Sequence, residues 1–496
     1  MCGARSAHLF KRKGGQLMKT PHYIKYFIVL AVFILAFATL PIASNAKTVG
    51  YSGGVQNENK YKEVVFITGK PIVFEGTNKT VTVTEKVSGT KITETYKMTL
   101  TGPNSEKLTR NFTYVSELKT HEDKTQTTSV GEVTKYTEKI VIGSTTYTLE
   151  DYQLSQSRLN VTQPATSYLE GNAIMRKTYK SSASRGQTAK EIIVTATSKN
   201  EGYENFWGAT NSQVIEYEYN FGDNKIWTVR NVVSSSKSRT INYDSSNATL
   251  SFIDGGYSVI SNADMVSSYI YEMPEENGVV DLNLEYMPRI ERLVVPKFRD
   301  ISKNWAREDI GKLYSLGIFD DNSNFFSPNS FITRYDFTIA IGKAIDLRVL
   351  EENVKKTTPS IFKDVTRTAK DYQYLVSAYE KGVIKGVNAT TFSPDGYLTR
   401  QQAAAILIRA LGLEGKAPDP GFKTPYADDT KIFDYARDSV YMVYQLGLIT
   451  GIPSGNSVNF NPTGHLTRAQ ASVIISRFLT YLEEDLKTAY RDDIQF

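Results

Sequence analysis

The chain has 496 residues, 40% apolar and 22% charged, with 58 Lys or Arg against 53 Asp or Glu, four His and one Cys. A single cysteine excludes a disulfide framework and a cysteine metal cluster. The length leaves room for more than one core.

The first 46 residues read as an address. Lys19 and Lys25 precede an apolar run from Phe27 to Leu40, followed by Pro41 and the small-residue stretch Ala43-Ser44-Asn45-Ala46. These are the parts of a secretory signal cleaved after Ala46. A retained membrane anchor is the alternative, although the apolar core is shorter than the roughly 20 residues a span needs. Lys13-Gly14-Gly15 can be encoded by a ribosome-binding sequence just ahead of Met18, so Met18 is the expected start and residues 1–17 are expected not to be translated. Residues 1–46 hold six Lys or Arg and no acid, which leaves 52 basic and 53 acidic residues beyond them, a formal charge of −1. The basic excess therefore belongs to the leader and indicates neither a nucleic-acid nor an anionic-membrane partner. Cys2 falls in the same segment, so the mature chain carries no thiol nucleophile.

From residue 47 to 287 the chain is rich in Thr, Tyr, Val and Ile with period-two alternation. Thr80 to Thr84 reads as one strand and Val214 to Tyr219 as another, with Ile215, Tyr217 and Tyr219 on one face. Turns at Ser88-Gly89, Gly143-Ser144, Phe221 to Asn224 and Asp254 to Gly256 imply antiparallel hairpins. The fold class expected is all-β: a sandwich, barrel or long meander. Chemistry is sparse here. His121, in the polar loop His121 to Lys124, is the region's one histidine, so neither a Ser-His-Asp triad nor a His-ligated zinc is indicated, and no cofactor is expected. Glu216 and Glu218 share a strand face and read as its solvated side, although a glycosidase carboxylate pair is an alternative. Trp207 and Trp227 read as packing residues, with a sugar-stacking platform as the other possibility. Residues 288–297 are the expected linker.

The last 200 residues repeat three times with a period of about 66. Thr333-Arg334, Thr399-Arg400 and Thr467-Arg468 each follow an aromatic-x-Pro phrase, at Phe326, Phe392 and Phe460. Upstream lie Phe298-Arg299-Asp300, Phe362-Lys363-Asp364 and Tyr426-Ala427-Asp428, and between these phrases a Gly turn at Gly317, Gly382 and Gly447. The repeat boundaries expected are 298–361, 362–425 and 426–486. Each Thr precedes a helical apolar run, which makes it an N-cap, with Asp336, Gln402 and Gln470 at the third helical position; the two Gln complete capping boxes. Each Arg stands where the helix dipole disfavours a cation. Two readings follow: an anion site in which the guanidinium fork and free backbone N–H groups meet a carboxylate, or a pairing of each Arg with an Asp of the neighbouring repeat that holds the array together. Asp320 to Asn324 is a turn, since Phe325 and Phe331 stand where a calcium loop needs Gly and Glu; no metal site is expected.

These phrases resemble three S-layer homology repeats. The pattern matches from about Phe298 to Leu482: an F-x-D start, a Trp-Ala pair at Trp305-Ala306, the Gly turn, F-x-P and the Thr-Arg helix start. The resemblance implies a three-repeat helical prism whose grooves bind secondary cell-wall polysaccharide, often pyruvylated. It assigns polysaccharide contact to Arg334, Arg400, Arg468, Asp300, Asp364, Asp428, Trp305, Gly386 and Gly451. The chain departs from the pattern at Asp321, which replaces the second turn Gly of the first repeat, and at Lys370-Asp371, which replaces Trp-Ala in the second; Tyr435-Ala436 stands in the third. The function implied is a secreted protein held non-covalently on the wall of a Gram-positive-type bacterium, carrying a β-rich structural or interaction module. A wall-anchored glycan hydrolase and an adhesin are the alternatives. Residues 291–496 are expected to fold alone, and residues 487–496, where Tyr490-Arg491-Asp492 echoes a repeat start, form either a cap or a charged tail.

Overall fold

The computed structural model describes residues 53–485 apart from 122–125, 183–188, 245–255, 348–359, 419–420 and positions 224, 295 and 321. The leader, Met18, Asp321 and the tail therefore lie outside the described residues.

The N-terminal region is one antiparallel sheet. Its first strands are β1 (Val55–Gln56), β2 (Lys60–Val65), β3 (Ile72–Thr77), β4 (Val81–Ser88) and β5 (Lys91–Thr101). Long strands follow: β6 (Lys107–Thr120), β7 (Gln126–Ile142), β8 (Thr145–Thr162), β9 (Thr166–Ser181) and β10 (Glu191–Asn205). The last are β11 (Gly208–Asn220), β12 (Trp227–Asp244), β13 (Gly256–Glu272), β14 (Asn277–Glu285) and β15 (Arg289–Arg292). From β5 to β14 each strand pairs with its chain neighbour, the meander that the alternation predicts. The sheet curls toward closure. Asn57 Nδ2 donates to Glu285 O at 2.8 Å, Ser267 Oγ to Gly53 O at 2.8 Å, and the Tyr286 hydroxyl to Gln56 O. Ile215, Tyr217 and Tyr219 do share a buried face. Within the expected linker, Arg289–Arg292 is tied to the sheet, because β15 pairs with β13.

The interior carries charge. Arg110 (β6) donates to both oxygens of Glu63 (β2) at 2.8 Å and to Glu138 (β7) at 2.6 Å. Glu138 also accepts from Lys177 at 3.1 Å and from the Tyr179 hydroxyl at 2.7 Å. Burial alone would raise the Glu138 pKa, but Arg110 and Lys177 hold it well below the usual carboxylate range. Beside the cluster Tyr96, Phe112, Tyr136 and Tyr152 stack ring on ring across four strands, at centroid spacings of 4.3, 5.3 and 4.0 Å.

The repeat region is helical, with two α-helices per repeat among the described residues: α1 (Arg307–Ser315) and α2 (Arg334–Ala344), α3 (Tyr372–Glu380) and α4 (Arg400–Leu411), α5 (Asp434–Gln445) and α6 (Arg468–Thr480). The repeats close on one another. Ile332 N donates to Leu466 O, Leu466 N to Leu398 O and Leu398 N to Ile332 O, at 2.9 to 3.0 Å, a ring of three bonds with one from each repeat. Helix contacts follow the same cycle: α2 packs on α3, α4 on α5, and α6 on α1.

The two regions share a core. Ala165, Tyr203 and Trp207 of the sheet belong to the same buried cluster as the repeat helices. Three donors of the β region satisfy carbonyls at the C-terminal ends of α2, α4 and α6, where helices leave acceptors unpaired. Trp207 Nε1 reaches Ala344 O and Ala165 N reaches Ala410 O, each at 2.8 Å, while Asn205 Nδ2 reaches Leu482 O, just past α6, at 2.9 Å. Trp207 thus packs, and its partner is the array. Trp227 is half-buried, its Nε1 3.4 Å from Asp223 Oδ2. Glu216 and Glu218 lie exposed on the outer sheet face, and His121 Nε2 sits 3.2 Å from Thr128 Oγ1.

Candidate functional site

Each repeat builds the same device from its three phrases. The phrase that opens a repeat supplies an aspartate whose carboxylate accepts two consecutive backbone N–H groups of the Phe-x-Pro loop. Asp300 binds Phe326 N and Ser327 N, Asp364 binds Phe392 N and Ser393 N, and Asp428 binds Phe460 N and Asn461 N, at 2.7 to 2.9 Å. Ser327, Ser393 and Asn461 have φ of 57°, 61° and 58°, a left-handed conformation that costs energy in a non-glycine residue and is held here by the carboxylate. Against the cost of burial, the Phe392 and Ser393 N–H groups hold the Asp364 carboxyl below the usual range, and Arg334 adds to this.

The arginine comes from the preceding repeat. Thr333, Thr399 and Thr467 cap α2, α4 and α6 as the sequence predicts, with capping boxes at Gln402 and Gln470. The cap aims the next side chain across the junction. Arg334 Nε donates to Phe392 O at 3.0 Å and Nη2 to Lys385 O at 3.3 Å. Arg400 Nε donates to Phe460 O at 2.6 Å and Nη2 to Thr450 O at 2.7 Å. Arg468 Nε donates to Phe326 O at 2.9 Å, closing the cycle on the first repeat. The guanidinium carbons lie 4.9, 5.2 and 4.3 Å from the ring centroids of Phe392, Phe460 and Phe326, a cation–π contact at each junction. Burial lowers the pKa of Arg334 and Arg400 from its ordinary value, and their charges face Asp364 and Asp428 across the junction. The cross-repeat hydrogen bonds of Arg334 and Arg400 run to carbonyls, with Asp364 and Asp428 beside them, and Arg468 Nε likewise donates to a carbonyl. In Arg334 and Arg400 these bonds use Nε and Nη2, two edges of a five-donor fork.

The remaining residues divide by exposure. Gly386 and Gly451 are packing glycines. A Cβ at Gly386 would lie 2.2 Å from Asn388 O and 2.9 Å from the Phe362 ring, and one at Gly451 would lie 2.8 Å from the Tyr426 ring. Trp305 is 68% exposed and Tyr435 48%. Lys370, which takes the Trp position of the second repeat, pairs with Asp320 at 2.8 Å, and Lys343 bridges Asp320 and Asp371 at 3.2 and 2.8 Å. The Asp320 turn is therefore part of the junction between the first and second repeats. Sequence reasoning did not find the Phe392 and Phe460 carbonyls as partners of the Arg, because each Arg bonds the Phe-x-Pro loop of the next repeat and not the one that precedes it in its own.

The S-layer homology domain model matches the chain at residues 297–338, 361–404 and 425–472, which are these three repeats. The C-terminal region is a triplet of S-layer homology repeats. The chain is similar to a surface-layer 125 kDa protein of Lysinibacillus sphaericus, 31% identical over 36% of this chain and 14% of that protein. It is similar to an endoglucanase of Bacillus sp. strain KSM-635, 33% identical over 30% of this chain and 15% of the enzyme. It is also similar to S-layer protein EA1 of Bacillus anthracis, 26% identical over 39% of this chain and 21% of that protein. The chain thus covers about a seventh to a fifth of the length of these relatives. Repeats and relatives together point to a cell-surface, cell-wall-associated protein. Among the described residues no helix is long and apolar enough to cross a membrane.

Proposed function

We propose that the protein is secreted and held non-covalently on the wall of a Gram-positive-type bacterium, the three repeats forming a helical prism that binds secondary cell-wall polysaccharide. The observation that carries this reading is the threefold guanidinium device. Arg334, Arg400 and Arg468 are each fixed by a cap, a ring and a neighbouring carbonyl, and the exposed Tyr435 faces Arg334. A guanidinium fixed in this way is preorganised for a carboxylate, and a pyruvyl group on a sugar is one. In this reading Asp300, Asp364, Asp428, Gly386 and Gly451 shape the grooves.

The β region is the outward module, structural or interactive. An adhesin role is compatible with the same anchoring. The hydrolase reading fits less well. Glu63 and Glu138 face inward, but both are paired with Arg110 beside a cavity of ≈ 50 Å³, room for a few waters and not for a sugar ring. The test is sedimentation of the purified protein with sacculi that retain their polysaccharide and with sacculi stripped of it. Retention only on the former is expected; equal retention on both would point to peptidoglycan instead.

A further inference from the structure

The closed ring of three repeats has an outer end that none of the matched phrases explains. Two residues before each Thr of the Thr-Arg phrase stands an aromatic side chain: Phe331, Tyr397 and His465. The three rings meet in a triangle, with centroids 5.3 Å apart for Phe331 and Tyr397, 5.5 Å for Phe331 and His465, and 5.8 Å for Tyr397 and His465. They lie over the Ile332, Leu398 and Leu466 bond ring, at the N-terminal end of α2, α4 and α6. The C-terminal ends of those helices are covered by the β region through Trp207, Ala165 and Asn205. The aromatic end is uncovered among the described residues: Phe331 is 45% and Tyr397 53% exposed, and His465 is exposed. Large rings held in solvent at one position of all three repeats mark a contact surface.

Its position says what it contacts. The residue before each ring, Ser330, Gly396 or Gly464, accepts through its carbonyl the backbone N–H of a site arginine of another repeat: Arg468, Arg334 and Arg400, respectively, at 2.8 to 3.0 Å. The backbone of each site arginine is therefore anchored one residue from the triangle, which ties the three junctions to it. The residues leading into the rings, Asn329-Ser330, Asp395-Gly396 and Thr463-Gly464, are short and include no base that would draw an anionic lipid. Aromatic faces ringed by short polar groups match the C–H face and hydroxyl rim of a sugar.

We infer that Phe331, Tyr397 and His465 form a second glycan contact at the tip of the array, on which a neutral sugar ring of the same wall polysaccharide stacks while its charged group occupies an arginine junction. This rests on the proposed polysaccharide binding, and deepens it by giving the chain a path from one junction across the axis to the next.

The test titrates purified wall polysaccharide into the full chain, the Phe331→Ala/Tyr397→Ala double variant and Arg400→Ala, by calorimetry, with circular dichroism melts and sedimentation mass for each. The expected result is a roughly tenfold weaker affinity for the double variant, with its melt and mass unchanged. Full affinity in the double variant with loss in Arg400→Ala would overturn the aromatic contact and leave the polysaccharide reading standing. Full affinity in both would remove the polysaccharide reading and this contact with it. Unchanged affinity with a fall in mass would show that the rings join two copies of the chain. If the Ala variant melts early, Phe331→Leu/Tyr397→Leu keeps the apolar volume while removing the ring faces, and the same outcomes decide.

Discussion

The β region and the repeat array satisfy their charged groups by opposite means. In the sheet, Glu63, Arg110, Glu138 and Lys177 satisfy one another side chain to side chain, across strands far apart in sequence. In the array, Asp300, Asp364 and Asp428 bind backbone N–H groups and Arg334, Arg400 and Arg468 bind backbone carbonyls, at a loop that recurs at fixed spacing. The first arrangement locks one curled sheet. The second can be copied, because each repeat presents the same carbonyls and N–H groups to the next whatever its side chains are.

That difference predicts where damage falls. Arg110→Ala strips the shared partner from two buried carboxylates and should cost about 3–5 kcal/mol, read by urea unfolding of the full chain; a loss near zero would mean that water reaches the cluster. Trp207→Ala removes a buried ring and a bond to Ala344 at the seam between the regions and should cost a similar ~3–5 kcal/mol. The same seam means that residues 291–496 alone should melt below the full chain, since the sequence-based expectation of independent folding leaves out the base that Trp207 and Ala165 cover. Equal melting temperatures would show the seam to be incidental. Asp364→Ala frees two N–H groups and a left-handed Ser393, at about 1.5–3 kcal/mol, and should weaken wall binding because the Phe392 carbonyl that holds Arg334 moves with the loop.

A pH effect should come from the β side of the seam. Burial pushes the Glu204 carboxyl up to about 7, against Lys237. A carboxyl raised in the folded state keeps a proton that the unfolded chain has released, so stability is highest below the unfolded pKa and falls as pH rises toward 7. Glu204→Gln should flatten that slope and gain about 1–3 kcal/mol at pH 8; an unchanged pH profile would assign the slope to other groups. The smallest effect is expected at Thr399→Ala, about 1 kcal/mol from one capping box, seen as a small shift in the melt.

The array was legible because it repeats. Three copies align themselves, so the caps at Thr333, Thr399 and Thr467 follow from spacing and helix-end physics, whereas the sharing of each Arg between repeats was one of two readings, with an Asp and not a carbonyl as the partner. The sheet was legible only as a class. Alternation gave strands such as Val214 to Tyr219, but the partners of Arg110 lie 47 and 28 residues away, and no local rule picks them out. A charge at an inward position, as in Leu108-x-Arg110-x-Phe112, was the available hint. The seam was hidden for the same reason: Trp207 and Ala344 are 137 residues apart.

In the proposed function the array, and not the sheet, holds the wall. Hydrogen exchange of the full chain with and without purified wall polysaccharide tests it most directly. Added protection is predicted at the loops around Phe326, Phe392 and Phe460 and at the starts of α2, α4 and α6, with the strands unchanged. Protection that instead appears in the β region, with the three arginine junctions exchanging as before, would contradict it.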